Sequence, residues 1–201
     1  MAKEYYYCVG KGQQLKRHIV TPICWRKPEQ GWFKLNSDGA SQGNPGKAGG
    51  GGLIRDHQGM WIKGYMRRIG VASSFAAECW ALRDKLLLAI QLGIKYLAVE
   101  LDALTIAKLV FDSSTSNRSY SPILNDCRFL LRQFHCFKVS HTFREANRCA
   151  AFLARASCSL DEDFVVLYLP SSDVLINMLS SDATSLYSLR LTATTLPFMA
   201  S

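Results

Sequence analysis

Residues 32–56 read WFKLNSDGASQGNPGKAGGGGLIRD, and the order of patterns within them decides the fold. Trp32–Asp38 alternates, with Phe33 and Leu35 on one face and Lys34, Asn36 and Asp38 on the other. That is the period of a half-buried strand, and it ends on a carboxylate. Residues 39–47 (GASQGNPGK) combine an Asn-Pro pair with glycines and are expected to form a turn. Gly49–Arg55 and Met60–Ile69 read as the next two strands, joined through Asp56-His57-Gln58-Gly59. Four consecutive glycines would suit a linker by composition. Between two strand patterns they mark a place where another backbone comes close.

Downstream, Ser73 or Ser74 can cap a helix running to about Leu92, with Phe75, Cys79, Leu82, Leu86 and Ile90 at helical spacing and Gly93 as its stop. Tyr96–Asp102 is expected as a buried strand that again ends on an acid. A short helix over Leu104–Phe111, a polar loop at 112–119, a helix over 121–134, a strand at Phe137–His141 and a helix over Glu145–Ser157 complete the pattern. Three strands, a helix, a strand, two helices, a strand and a helix give an α/β class: a five-stranded mixed sheet with helices on both faces. Residues 1–31 lack periodicity and are expected to be a basic leader or linker, and 32–160 the domain. Residues 161–201 are expected to be an acidic extension, with one or two helical turns at Val174–Leu179 and a tail from Ser180.

The 201 residues carry 24 Lys+Arg against 16 Asp+Glu, a net charge of +8. The excess is not uniform. Residues 1–34 hold seven bases and two acids, whereas 161–201 hold one base and five acids. A basic body with an acidic tail suits a phosphate-bearing partner, and equally a solvated basic surface. No apolar run reaches the length of a membrane span, so no membrane partner is expected. Seven cysteines without a Cys-x-x-Cys pair suggest neither a disulfide framework nor a zinc site. With no secretory h-region, the nucleus or cytoplasm is the expected compartment.

Three acids stand out by placement: Asp38 and Asp102 at strand ends and Glu78 in the first turns of the long helix. Any one of them alone is ordinarily a solvated or capping carboxylate. If the first and fourth strands are neighbours, all three converge, and such a cluster needs protons or hard cations to offset its repulsion. Ligands offering only oxygen favour Mg²⁺ or Mn²⁺.

The string Asn36-Ser37-Asp38-Gly39-Ala40-Ser41-Gln42-Gly43-Asn44-Pro45-Gly46 resembles the opening of type 1 ribonuclease H domains. The resemblance continues through Ala77-Glu78, Val99-Glu100-Leu101-Asp102 and Ser140-His141. It is closer still to plant ribonuclease H-like domains related to non-LTR retroelement reverse transcriptases, through GGLIRD at 51–56, AECWALRD at 77–84 and REAN at 144–147. It covers roughly residues 30–180. The resemblance implies a ribonuclease H-like fold and a metal-dependent endonuclease that hydrolyses the RNA strand of RNA–DNA hybrids. It implies that Asp38, Glu78 and Asp102 bind Mg²⁺ or Mn²⁺ and that His141 assists catalysis. It assigns substrate-strand contacts to Gly39, Asn44 and Asn147. It also implies a retroelement-derived chain, of a kind that often closes a longer polyprotein.

One position departs from the family's pattern. Its fourth carboxylate belongs where this chain has Ala151, within Asn147-Arg148-Cys149-Ala150-Ala151-Phe152-Leu153-Ala154. Alanine offers no oxygen, and Glu145 lies six residues earlier, so the second metal position is expected to be impaired. Two readings therefore stay open: a weakened hybrid ribonuclease, and an inactive retroelement-derived module that holds nucleic acid. Trp80, beside Phe75 and Cys79 on the long helix, is expected to be core packing.

Overall fold

The computed structural model describes residues 4–6, 16–111 and 120–195; the loop expected at 112–119 lies outside them. Two upstream strands, β1 (Glu4–Tyr6) and β2 (Lys16–Ile23), precede β3 (Phe33–Gly43), β4 (Gly46–Arg55) and β5 (Trp61–Ala72). Then come α1 (Ser74–Gln91), β6 (Tyr96–Leu101), α2 (Leu104–Phe111), α3 (Ser121–Leu131) and β7 (Cys136–His141). A 3₁₀ turn (Arg144–Ala146) leads into α4 (Arg148–Ser157), followed by β8 (Phe164–Leu167), α5 (Asp173–Ala183) and β9 (Ser188–Thr195).

The main sheet has the order β7-β6-β3-β4-β5-β8. β3 runs parallel to β6 and β6 parallel to β7, while the β3–β4, β4–β5 and β5–β8 pairs are antiparallel. The sheet is mixed, as the element order implies, but it has six strands rather than five. The added strand, β8, is only four residues long, and an acidic Asp161-Glu162-Asp163 run precedes it, so its apolar signal is short. The hairpin between β3 and β4 is also tighter than expected. Pairing persists to Gly43↔Gly46, and only Asn44-Pro45 turns. Gly43 has φ 110°, a conformation that closes the ladder at once.

The four-glycine run lies in β4 with a helix against each face. A Cβ added at Gly50 would meet Ala81 of α1 at 3.1 Å, and one at Gly52 would meet the Lys85 amine at 1.6 Å. Added at Gly49 or Gly51, it would meet Ser157 or Ala154 of α4 at 2.1 and 2.3 Å. Alternate residues of a strand point to opposite faces, so α1 covers one side and α4 the other. The larger core lies on the α1 side, where Leu35, Leu82, Leu86, Leu97 and Val99 pack with α2 and α3. A smaller one joins Leu53, Cys149, Leu153 and Leu175 beneath α5.

The chain expected as leader and tail holds regular structure. β2 pairs antiparallel with β9 along its length, from Lys16↔Thr195 to Ile23↔Ser188, and β1 flanks β2. The helix foreseen at Val174–Leu179 extends over Asp173–Ala183, with the Ser172 hydroxyl accepting from the Leu175 N–H at 3.3 Å. β9 alternates apolar and polar residues, but its partner lies more than 160 residues away, beyond the reach of local pattern.

Candidate metal centre

The parallel β3–β6 ladder ends at Ser37↔Leu101, so the next residues, Asp38 and Asp102, stand side by side. Asp38 does not end its strand, as the turn assignment suggested; it sits mid-strand opposite Gly51, with 4% exposure. Glu78 comes from the second turn of α1. That helix is capped by Ser73, whose hydroxyl accepts from the Ala76 N–H at 3.2 Å. The helix reaches β3 because Gly39 has no side chain: a Cβ there would lie 2.2 Å from the Glu78 nitrogen. One carboxylate oxygen from each of Asp38, Glu78 and Asp102 lies within 4.8 Å of the others.

The electrostatics follow from crowding three anions into a partly dry site. Burial, then the neighbouring Asp102 charge and a hydrogen bond with it, push the Asp38 carboxyl up to about 7. Burial and the charges of Asp38 and Asp102 hold Glu78 well above the usual carboxylate range, although the Gly39 N–H donates to it. Asp102 Oδ1 is buried without a hydrogen-bond partner among the described residues. An orphaned oxygen, raised carboxyls and an all-oxygen donor set fit a hard divalent cation.

Two cations face the cluster that the sequence reading did not single out. Lys85 is fully buried, two helical turns from Glu78, and its amine has no hydrogen-bond partner among the described residues. Burial drives that amine well below the ordinary lysine range, against the pull of Asp38 and Glu78. The signal was a lysine inside the otherwise apolar stripe Leu82–Leu86–Ala89. Arg144, in the 3₁₀ turn, lowers the Asp38 carboxyl by its charge.

The other foreseen residues are placed as follows. His141 ends β7 opposite Leu101, at the same end of the sheet as the acids; it is exposed and meets Phe143 edge-on at 5.4 Å. Asn44 Oδ1 accepts from the Ser74 N–H at 3.1 Å, tying the hairpin to the start of α1. Asn147 is 1% exposed, and its Nδ2 donates to the Ser37 carbonyl at 2.7 Å. That amide fastens the head of α4 beside Asp38 rather than facing solvent. Ala151 lies one turn further on, its N–H bonded to the Asn147 carbonyl at 3.0 Å. Among the described residues no fourth acid, histidine or cysteine joins the cluster. Glu145 accepts twice from Arg190, at 2.8 and 2.9 Å, and is not free to stand in. Trp80 is not core packing: it is half-buried, with the Arg67 and Arg83 guanidiniums 4.5 and 5.5 Å from its ring centre.

A mixed sheet of this order, helices on both faces and acids from β3, α1 and the end of β6 meeting at one point define a ribonuclease H-like protein. The chain belongs to the reverse transcriptase-like family, whose family model matches residues 36–157. It is 34% identical over 142 residues to an Arabidopsis thaliana protein named "Putative ribonuclease H protein". That match takes in 71% of this chain but 23% of the relative, so the chain spans under a quarter of it. Among solved structures it resembles ribonuclease H1 of Halobacterium salinarum, at 27% identity and a TM-score of 0.60 over 63% of this chain and 96% of that one. The N-terminal ribonuclease H domain of a Mycobacterium tuberculosis protein is similar at 25% identity and TM-score 0.59, over 63% and 93% of the two chains. No helix among the described residues is long and apolar enough to cross a membrane.

Proposed function

We propose that the chain is a nucleic-acid-binding, Mg²⁺- or Mn²⁺-dependent endonuclease acting on the RNA strand of RNA–DNA hybrids, slowed by Ala151. The observation that carries this reading is the convergence of Asp38, Glu78 and Asp102 within 4.8 Å. Bound divalent metal would supply a lowered water pKa and charge neutralisation at the scissile phosphate. Asp38, Glu78 and Asp102 would hold it. His141, exposed at the same end of the sheet, is the side chain placed to handle a proton there. Asn44 presents the rest of its amide at the hairpin tip, where a substrate strand can meet it. Selection of RNA would rest on 2′-hydroxyl contacts and groove shape.

The test is cleavage of a labelled RNA–DNA hybrid with Mg²⁺ or Mn²⁺, compared with Asp38→Asn. Slow, metal-dependent cleavage that vanishes in the variant supports the reading; no cleavage by folded protein removes it. The empty place at Ala151 favours a second reading, a module that holds hybrid without cutting. Its mark is hybrid affinity that falls steeply with salt as phosphate contacts release counterions.

We further infer that the functional unit is larger than residues 32–160, because β8 pairs with β5, Leu175 of α5 packs on Cys149 and Leu153, and Arg190 of β9 bonds Glu145. A nuclear or cytoplasmic setting remains part of this proposal.

A further inference from the structure

A cavity of about 450 Å³ opens beside α4, lined by Arg144, Arg148, Arg155 and Arg190 together with Ala151, Phe152, Met178 and Glu145. Arg148, Ala151, Phe152 and Arg155 are spaced i, i+3, i+4 and i+7, one stripe of the helix. Arg190 reaches in from β9 and packs its guanidinium 4.6 Å from the Phe143 ring centre.

The charges here are unbalanced. Glu145 is taken by Arg190, and Asp182, 3.5 Å from Arg148, is also claimed by Arg55 at 2.7 Å. Arg155 is exposed with no ion-pair partner among the described residues, and Arg144, also exposed, makes no direct ion pair among them, its charge acting on Asp38 from a distance. Arg148 Nε is buried with no hydrogen-bond partner among them. Guanidinium groups offer forked donors matched to phosphate oxygens. Phe152 and Met178, both half-buried, add an apolar wall of the kind on which a base stacks.

We propose that this pocket binds one nucleotide unit, its phosphate on the arginines and its base against Phe152 and Met178. Ala151 lies at the centre of the stripe. An acid at that position would place an anion among the guanidiniums and compete with the phosphate. An alanine in place of an acid thus leaves a predominantly cationic pocket beside the carboxylate cluster, with Glu145 its one anion. The site does not depend on the acid trio being active.

The experiment is calorimetric titration of the full chain, without metal, with uridine 5′-monophosphate, uridine and inorganic phosphate. The monophosphate is expected to bind at least tenfold more tightly than either part. Arg155→Ala should weaken it tenfold or more with an unchanged thermal midpoint, since that side chain is exposed, and the Arg144→Ala/Arg155→Ala pair should weaken it further. No saturable binding, affinity equal to that of inorganic phosphate, or affinity unmoved by the pair would overturn the proposal. Ala151→Asp separates the two sites. It should weaken the nucleotide and, on the metal-centre reading, tighten Mg²⁺. A loss of nucleotide without a gain of metal leaves the pocket standing and removes that reading; an unchanged nucleotide affinity does the reverse.

Discussion

The carboxylate of Glu78 reaches Asp38 and Asp102 because Gly39 lets α1 lie directly on β3, a Cβ at Gly39 falling 2.2 Å from the Glu78 nitrogen. The contact is backbone against backbone, so no side-chain adjustment can relieve it. Gly39 was assigned to substrate by resemblance; its place in the structure also sets the spacing of two acids of the cluster.

Gly39→Ala is therefore expected to push α1 outward and to cost about 1–3 kcal/mol of stability, as overpacking of a tight interior does. Affinity for Mg²⁺ should fall with it, since Glu78 retreats from Asp38 and Asp102. Urea denaturation and metal titration of the variant check this. A variant as stable as the parent, with the same metal affinity, would contradict the spacing role.

Without metal, Asp38 is a liability to folding. Its folded-state pKa of about 7 is raised from the ordinary aspartate value of 3.8, so its proton is favoured by the folded chain. A raised carboxyl contributes its full stability below the unfolded value and loses it as pH climbs through the folded one. Asp38→Asn removes the penalty. The metal-free variant should match the parent near pH 4 and exceed it above pH 7 by on the order of 2–4 kcal/mol. Thermal denaturation in chelator across that range measures the difference; a gap that narrows with rising pH would mean the cluster is not repulsive.

Metal should reverse the sign. Mg²⁺ offsets the charge of the three acids and displaces protons that Asp38 and Glu78 hold when the site is empty of cation. The parent should gain thermal stability on adding Mg²⁺, and Asp38→Asn much less. Proton release on binding should be larger at pH 6.5 than at pH 8.5, read by calorimetry in buffers of different ionisation enthalpy. Equal release at the two values would place the raised pKa elsewhere.

The acids were legible in sequence because each stands beside a local signal: Asp38 in an alternating strand, Glu78 after a serine cap, Asp102 at the end of an apolar strand. The glycine run was legible for the same reason, since four missing side chains between strand patterns announce a close neighbour. Lys85 and Arg144 were not. Lys85 breaks an apolar helical stripe, but the role of both is a charge relation across α1, β3 and the turn before α4, and no periodicity says which charges they will face. β8 was too short to register. β9 alternates properly but has meaning only against β2, at the other end of the chain. The family pattern marked Ala151 as a place where an acid is expected, yet the arginine pocket around it depends on Arg190 and Met178, from a region without a recognised motif.

Asp182 shows how deeply that region enters the domain. It is 4% exposed, and its Oδ2 accepts from Arg55 Nη1 at 2.7 Å and from the Cys149 thiol at 3.6 Å. Arg55, 1% exposed, stacks 3.5 Å from the centre of the Trp25 ring, and its Nη2 and the Trp25 indole N–H both donate to the side-chain Oδ1 of Asn36, each at 2.9 Å. One buried network thus links the segment before β3, the first two long strands, α4 and α5. Removing one partner of such a pair leaves the other charge buried and unmatched, a cost of about 3–5 kcal/mol. Asp182→Ala should lose that much in urea denaturation, and Asp182→Asn less, because the amide can still accept from Arg55. A chain cut after Leu160 should fare worse than either, since it also bares the β5 edge that β8 covers. If that truncated chain unfolds with the parent's midpoint, Arg55 has found another partner and residues 161–195 are an appendage after all.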